Sequence, residues 1–251
     1  MPKTITTAGK GGVGKTAISS LIIDILSKKG VVLAIDADPS TNLNTALGLP
    51  LANTVGKARE DVTDEIQKGK IAPGVSKQEV LDMRIHEALV ESGKVDLLAM
   101  GRPEGPGCYC AANHMLRASI DRIAKNYDYV VVDCEAGMEH ISRQTTQEVD
   151  FLLVVTDPTM RGLTAAARTR DLIKEMRTKV GRVGLIVNKV KNGLPEEIAV
   201  AIKEYGLELL TSIPEDPNLP ALEIKGRPII ELPPDSPLRL GAEEVVRKLG
   251  L

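Results

Sequence analysis

The stretch GKGGVGKT, residues 9–16, decides the fold of this 251-residue chain. It matches the pattern G-x-x-x-x-G-K-[ST], and it lies between TITTA, which has the pattern of a strand, and TAISSLIIDILSKK, which has that of an amphipathic helix. A polyphosphate needs several backbone N–H groups that converge on one place, and it gains from the positive end of a following helix. The segment therefore predicts a phosphate-binding loop formed by Gly9, Gly11, Gly12, Val13, Gly14, Lys15, Thr16 and Ala17.

Two side chains of this loop have predicted roles of their own. Lys15 is expected to contact the β- and γ-phosphates of a nucleotide, and Thr16 is expected to ligate Mg²⁺. We therefore assign Lys15 to catalysis as well as to binding, and Thr16 to the metal site.

Short β-branched runs alternate with helix-length amphipathic stretches along the rest of the chain. The runs VVLAID, YVVVD, FLLVVT and VGLIVN are nearly continuous apolar segments, which is typical of strands covered by helices on both faces. We predict an α/β fold with one domain over residues 1–251, a P-loop NTPase with a doubly wound, mostly parallel sheet. Strands are predicted at Lys3–Thr7, Val31–Ile35, Val95–Met100, Tyr129–Asp133, Phe151–Thr156, Val183–Asn188 and Glu208–Ser212, and helices at Thr16–Lys28, Ala112–Asn126, Gly162–Lys179, Pro195–Glu204 and Pro237–Leu249.

Composition narrows the functional classes. A net charge of -2 gives no electrostatic footprint for nucleic acid or an acidic membrane, so we expect neither as a partner. The sequence has no apolar run of membrane-spanning length and no secretory signal at its start, and three cysteines are no disulfide framework, so we expect a cytoplasmic protein. The Gly-, Pro- and charge-rich segments Val55–Ser76 and Gly101–Gly107 are predicted to be surface excursions from the domain.

Acidic residues follow two of the predicted strands. Asp36 ends VVLAID, Asp38 follows it by two residues, and Asp133 ends YVVVD, at the sheet edge where parallel sheets bind ligands. An aspartate that ends a buried strand is the Walker B arrangement, which holds Mg²⁺ through water. Asp38-Pro39-Ser40 also has the pattern of a turn with a helix N-cap, and capping is compatible with catalysis.

A CxC pair stands in the segment GPGCYCA, where residues 105–107 indicate an exposed loop. Cys108 and Cys110 are two residues apart, so in an extended chain their thiolates point to one side and are able to share a soft metal ion such as Zn²⁺ or Ni²⁺. Two ligands fall short of four-coordination, and either His114 or the same pair from a second subunit would complete the site. Cys134 adjoins the Walker B strand and is expected to be buried and inert, and His86 and His140 have no ligand constellation around them.

A second lysine in the loop, Lys10, makes GKGGVGKT resemble the deviant Walker A motif of the MinD/ParA/nitrogenase-iron-protein ATPases. The resemblance implies a homodimeric ATPase that uses ATP, ADP and Mg²⁺. In that family the extra lysine reaches across a nucleotide-sandwich dimer to the partner's phosphates. Lys10 is therefore expected to act in catalysis like an arginine finger.

Four further segments resemble switch and base-binding motifs of the same family. DADP is similar to the first switch, which implies that Asp38 positions or activates the attacking water and that Asp36 supports the Mg²⁺ shell. The family's second switch reads D-x-P-A-G, and here it reads D-C-E-A-G with Gly137 as the expected donor to the γ-phosphate. Finally, the segments after two late strands resemble adenine-binding positions, which favours ATP over GTP and implies contacts from Asn188, Pro214 and Asp216.

The CxC pair together with these motifs resembles the CooC-type accessory ATPases, which serve the maturation of nickel-dependent carbon monoxide dehydrogenase and acetyl-CoA synthase. That resemblance implies a metallochaperone whose dimer holds metal between the CxC pairs of two subunits, and a client metalloenzyme as partner. Two alternatives stay open. One is an iron–sulfur cluster carrier that uses cysteines from separate segments, such as Cys110 and Cys134. The other is a positioning ATPase of the MinD/ParA class without metal, although the tail AEEVVRKLGL has too little apolar face for a membrane anchor.

Overall fold

The computed structural model describes residues 1–71, 74–101, 110–134, 148–175 and 179–251. In these residues seven parallel strands form one sheet in the order β3-β2-β4-β1-β5-β6-β7. This confirms the predicted doubly wound α/β fold. The strands are β1 (Lys3–Gly9), β2 (Val32–Asp36), β3 (Val95–Ala99), β4 (Tyr129–Asp133), β5 (Glu148–Thr156), β6 (Lys179–Val190) and β7 (Leu209–Pro214).

Helices cover both faces of the sheet. The described helices are α1 (Lys15–Ser27), α2 (Leu43–Leu47), α3 (Val55–Gln67), α4 (Lys77–Ala88), α5 (Cys110–Ala124), α6 (Met160–Glu175), α7 (Glu196–Glu204), α8 (Leu219–Ile224) and α9 (Pro237–Leu249), with a 3₁₀ turn at Ile229–Glu231. None of the helices in these described residues is long and apolar enough to cross a membrane.

The strand register brings three chain segments to one edge of the sheet. β1 lies between β4 and β5, and Thr7 of β1 is the register partner of Asp133 at the end of β4. On the other side of β4, Asp36 of β2 is also paired with Asp133. The carboxyl ends of β1, β2 and β4 therefore meet where the loop after β1 begins.

Two apolar layers, one on each face of the sheet, form the core. One layer includes α1, whose Ile18, Leu21, Ile22 and Leu26 are fully buried against the sheet and against α9. The other layer includes α3, α4, α5 and α6. β-Branched and aliphatic residues fill both layers, as expected for strands that are covered on both faces. The few buried polar side chains include Thr7, Ser19, Asp36 and Asp133, which lie at the carboxyl edge.

Two predictions about the chain between strands were wrong. The segment from Val55 was expected to be a surface excursion, but it begins the amphipathic helix α3, and Val55, Ala58 and Val62 are buried in the core. Its high charge misled the prediction because the opposite helix face is exposed to solvent. The helix predicted to end at Lys179 is also too long, since Lys179 already begins β6 beside Glu148 of β5.

Candidate active site

The loop after β1 depends on glycines in backbone conformations that other residues rarely adopt. Gly12 and Gly14 have φ angles of 78° and 92°, in the left-handed region. A Cβ on Gly14 would lie 2.6 Å from Nδ2 of Asn188, whereas a Cβ on Gly11 or Gly12 would meet nothing within 4 Å. Gly14 is thus required by close packing, while Gly11 and Gly12 border open space in which a ligand fits.

Gly14 is also the N-cap of α1, and no side chain caps this helix end. The first N–H groups of a helix have no partner within the helix, and together with the helix dipole they attract anions. The strand, the left-handed glycines and the uncapped helix therefore have the geometry that a phosphate cradle requires.

Side chains from two directions brace the loop through its carbonyl groups. Lys15 donates from Nζ to the Lys10 carbonyl at 3.1 Å. From β6, Asn188 donates to the Val13 carbonyl at 2.8 Å, and Lys189 donates to the Gly12 carbonyl at 2.8 Å. Lys189 has a φ of 60°, a left-handed backbone that is uncommon for a residue with a side chain. The side chain of Lys10 is exposed.

The Walker B carboxylate of Asp133 is 1% exposed and accepts hydrogen bonds from hydroxyl groups on both oxygens. Thr16 donates to Oδ2 at 2.6 Å, and Ser19 and Thr7 lie 2.9 and 3.0 Å from Oδ1. Burial raises the pKa of Asp133, and these hydroxyl groups oppose the rise. Thr16 and Asp133 thus stand together as the sequence predicts, and hydroxyl and carboxylate oxygens are donors that suit Mg²⁺.

The two acidic residues after β2 have different surroundings. Asp36 is 1% exposed and accepts backbone N–H groups, from Asp38 at 3.0 Å on Oδ1 and from Leu43 at 2.9 Å on Oδ2. Burial raises the pKa of Asp36 to about 6, although these two hydrogen bonds lower it. Asp38 is partly exposed, and its Oδ1 accepts from the backbone of Ser40 at 2.7 Å. Asp36 therefore organises the loop that presents Asp38 to the open space.

A cavity of about 700 Å³ opens beside the loop. Its N-terminal half is lined by residues between 11 and 46, which include Lys15, Thr16 and Asp38, and its C-terminal half by residues between 188 and 238, which include Asn188 and Asp216. Lys15, Thr16, Asn188 and Asp216 therefore line one cavity, whereas Pro214 is not among its lining residues.

Asp216 is already engaged within the chain. It accepts from the Ser236 hydroxyl group and from the backbone N–H groups of Asn218 at 2.8 Å and Leu238 at 3.1 Å. Burial opposes ionisation, but these donors together lower the pKa of Asp216. Pro214 is exposed at the end of β7. The base contacts assigned to Asp216 and Pro214 remain predictions.

The predicted soft-metal site and second switch lie largely outside the described residues, which exclude Cys108, Gly137 and His140. Cys110 begins α5, but its side chain is not among those described, and neither is that of His114. Elsewhere in the described part of the chain, no group of three or more His, Cys, Asp or Glu residues is arranged to hold a metal.

Cys134 and His86 lie among the described residues. Cys134 is 1% exposed, and burial raises the pKa of its thiol well above the usual range, as expected for an inert cysteine. His86 is exposed on α4, and its Nδ1 lies 2.8 Å from the carbonyl of Asp82 in the same helix.

Among the described residues, the motifs do not predict Thr7, Ser19 and Lys189, which contact Asp133 or the loop. Thr7 precedes the loop by two residues, and Ser19 is three residues after Thr16, so it lies on the same helix face one turn later. That spacing was a usable signal for Ser19. Lys189 follows the predicted Asn188, but its contact with the loop arises from the pairing of β5 with β6, which no local pattern reports.

A parallel α/β sheet with a glycine-rich loop, a following helix and a buried Walker B aspartate defines a P-loop nucleotide-binding protein. Comparison with family models agrees, since residues 4–229 match the CobQ/CobB/MinD/ParA nucleotide-binding domain. The chain belongs to this family of ATPases.

Relatives with similar sequences extend over almost the whole chain. An uncharacterised ATP-binding protein of Methanocaldococcus jannaschii is 43% identical over 98% of this chain and 97% of its own length. The carbon monoxide dehydrogenase accessory protein CooC of Rhodospirillum rubrum is 32% identical over 92% of this chain and 90% of its own length. Among solved structures, the septum site-determining protein MinD of Pyrococcus horikoshii, complexed with Mg-ADP, has a TM-score of 0.70 at 21% identity over 99% of this chain and 96% of its own.

Proposed function

We propose that this ATPase is a homodimeric metallochaperone that binds a soft metal ion with the CxC pairs of two subunits and serves nickel insertion into carbon monoxide dehydrogenase or acetyl-CoA synthase. The observation that carries the proposal is the CxC pair, whose second cysteine begins α5, in a chain that is 32% identical to an accessory protein of carbon monoxide dehydrogenase. ATP binding would close the dimer around the metal, and hydrolysis would reopen it.

The geometry around the loop supports a catalytic assignment for several residues. Lys15 and the loop N–H groups would bind the phosphates, and Asn188 would contact the base from the C-terminal half of the cavity. Asp38 would orient the attacking water, because it is the partly exposed carboxylate of the loop that Asp36 organises. Mg²⁺ would be held by Thr16, with Asp133 and Asp36 behind it, and would neutralise phosphate charge.

Lys10 supports dimer-dependent hydrolysis. Its side chain is exposed, whereas Lys15 is partly buried and donates to the loop carbonyl of Lys10 itself. One lysine is thus available to its own nucleotide and the other to a neighbouring subunit. An added positive charge at the transferred phosphoryl group stabilises the transition state, as an arginine finger does.

The buried position of Cys134 weighs against the iron–sulfur alternative. A cluster shared by Cys110 and Cys134 needs both as thiolates, and burial beside Asp133 disfavours the thiolate of Cys134. The CxC pair is therefore the better ligand set, and it suits Zn²⁺ or Ni²⁺.

Metal stoichiometry tests the metallochaperone proposal. The purified protein, loaded with Ni²⁺ or Zn²⁺ and desalted, is expected to retain one ion per dimer, and the double variant Cys108→Ala/Cys110→Ala is expected to retain none while it still binds ADP. Cys134→Ala is the control and should keep the metal. Full metal retention in the double variant would contradict the proposal, and visible absorbance of anaerobically purified protein, lost with Cys134, would favour an iron–sulfur carrier.

The dimer role of Lys10 has its own test. Lys10→Ala is expected to bind ATP normally but to lose ATP-dependent dimerisation in sedimentation, with kcat lower by about a thousandfold, the scale of an arginine finger. The exposed Lys191, which pairs with Glu215 of the cavity lining, is the control position. Normal hydrolysis by Lys10→Ala would show that Lys10 has no role across the dimer.

A further inference from the structure

Two buried hydroxyl groups form a pair behind the Walker B aspartate. Thr7, near the end of β1, and Ser19, in the second turn of α1, are both 0% exposed. Their oxygen atoms lie 2.8 Å apart, and each lies within 3.0 Å of Oδ1 of Asp133. Strand, helix and carboxylate are thus joined by a triangle of three oxygen atoms in the dry interior.

The two oxygens of Asp133 have separate sets of partners. Oδ1 contacts Thr7 and Ser19, which are fully buried, whereas Oδ2 accepts from Thr16 at 2.6 Å, and Thr16 is partly exposed to the cavity. One oxygen is therefore held from behind, and the other is directed at the residue expected to ligate Mg²⁺. Because both oxygen atoms of the Asp133 carboxylate accept hydrogen bonds, the group has little freedom to rotate.

Counting hydrogens shows how the triangle is satisfied. Each hydroxyl group has one hydrogen to donate, so if Thr7 donates to Asp133, Ser19 donates either to Asp133 or to the Thr7 oxygen. Ser19 also has the Lys15 carbonyl within 3.0 Å as an alternative acceptor. Thr7 in turn has the Val132 carbonyl at 3.4 Å as a longer alternative. Because a buried carboxylate oxygen without a donor is costly, we expect at least one of the two hydroxyl groups to donate to Oδ1, also when Thr16 turns towards a metal ion.

We propose that Thr7 and Ser19 are positioning residues that hold Asp133 through Oδ1 and thereby keep Oδ2 and Thr16 arranged for Mg²⁺. This inference rests on the Mg²⁺ site proposed above. The chemistry it assigns to the pair is specific: the hydroxyl groups contribute to the Mg²⁺-dependent part of nucleotide binding and leave the part due to the loop unchanged.

The chain contains a matched control for each position. Ser20, next to Ser19, is equally buried, but its hydroxyl group donates to the Ala17 carbonyl at 2.9 Å within α1. Thr6, next to Thr7, is 1% exposed and points to the other face of the sheet. Ser20→Ala and Thr6→Val therefore remove a buried hydroxyl group of the same kind without touching Asp133.

The experiment measures the affinity of fluorescently labelled ADP with excess EDTA and with saturating Mg²⁺, so the readout is the affinity ratio rather than ATP turnover. Thr7→Val and Ser19→Ala are expected to match the wild type in EDTA within about twofold and to lose about tenfold of the Mg²⁺-dependent gain, the scale of one hydrogen bond to a charged group. Both control variants should keep the gain, and Thr7→Ser should restore it. Thermal unfolding of each variant shows that the fold is intact.

Three outcomes would overturn the inference. The first is a full Mg²⁺-dependent gain in both Thr7→Val and Ser19→Ala. The second is an equal loss with EDTA and with Mg²⁺, which would mean that the pair only supports the loop. The third is an unfolded Thr7→Val together with a Ser19→Ala variant of wild-type gain. If the affinity of the wild type for ADP does not increase with Mg²⁺, or if Asp133→Asn keeps the increase, the proposed Mg²⁺ site itself is wrong.

Discussion

The two halves of the cavity are built from different kinds of sequence. The N-terminal half takes most of its lining from one continuous strand–loop–helix unit, and its loop borders open space at Gly11 and Gly12. The C-terminal half is assembled from β6, the residues that follow β7, α8 with the turn after it, and α9, and several of its polar side chains already have partners. Asn188 and Lys189 hold the loop, and Asp216 holds the start of α9.

This difference indicates that one half of the cavity binds the nucleotide and the other supports the loop. Backbone N–H groups at an uncapped helix end have no competing partner, so a phosphate ligand gains their full interaction. Side chains of the C-terminal half would have to exchange or share an existing hydrogen bond to contact a base, which reduces the net gain. We infer that the N-terminal half supplies most of the nucleotide affinity and that the C-terminal half mainly keeps the loop in shape.

The largest expected effect is on the N-terminal half. Lys15→Ala should weaken ADP binding by about 100-fold or more, because it removes a charge-assisted contact to the phosphates and a brace of the loop. Calorimetric titration with ADP measures this loss. Lys28→Ala, an exposed lysine on the same helix that pairs with Asp24, should change the affinity less than twofold. A Lys15→Ala variant with wild-type affinity would contradict the inference that the N-terminal half supplies most of the nucleotide affinity.

The next effect falls on stability rather than on affinity. Asp216→Ala leaves the Ser236 hydroxyl group and two backbone N–H groups without their acceptor, so the free energy of unfolding should fall by about 2–3 kcal/mol. Because the pKa of Asp216 is lowered in the folded protein, its contribution is present above the ordinary value of 3.8 and is lost as the pH falls through the folded value. Denaturant unfolding measures the change in the free energy of unfolding. If Asp216→Ala is as stable as the wild type but has an altered base preference, Asp216 contacts the base rather than supporting the fold.

A smaller effect should follow from the lysine on β6. Lys189→Ala removes the donor to the Gly12 carbonyl and is expected to weaken ADP binding by about fivefold to tenfold. Lys189→Asn tolerates the left-handed backbone but lacks the ammonium group, so it separates the two contributions. Equal losses in both variants would assign the effect to the ammonium group, whereas wild-type affinity in Lys189→Asn would show that only the backbone matters.

The smallest effect is a pH dependence at the edge of the N-terminal half. Burial raises the pKa of Asp36 to about 6, above its ordinary value of 3.8, so the folded state binds the proton more tightly than the unfolded state. The stability that Asp36 contributes is therefore lost as the pH rises from about 4 to about 6. The free energy of unfolding of Asp36→Asn minus that of the wild type should therefore be larger at pH 7.5 than at pH 5. Urea unfolding without nucleotide measures this difference. An unchanged stability difference would contradict the raised pKa.

Site residues that belong to short local patterns are predicted well from the sequence. The loop, Lys15, Thr16 and Asp133 belong to patterns within a few residues of a strand end, and the fold places them together as predicted. Thr7 was missed because a buried threonine on a strand has an ordinary pattern until the register pairs β1 with β4, whereas the spacing of Ser19 from Thr16 was a usable local signal.

Helix α3 shows an error about the fold rather than the site, because it was predicted to be a surface excursion and instead packs against the core. The charged residues of its exposed face outnumber the small buried set around Ala58, so composition alone resembles a loop. Contacts formed between distant segments decide such cases, and these depend on packing that local propensity does not contain.

One competition experiment tests the central claim that the phosphate cradle supplies most of the affinity. Inorganic tripolyphosphate and adenosine are each titrated, in the presence of Mg²⁺, against labelled ADP bound to the protein. We predict that tripolyphosphate displaces ADP at concentrations at least about tenfold lower than adenosine, because it engages the loop, the helix end and Lys15. Displacement by adenosine at the lower concentration would contradict the account and place the affinity in the C-terminal half.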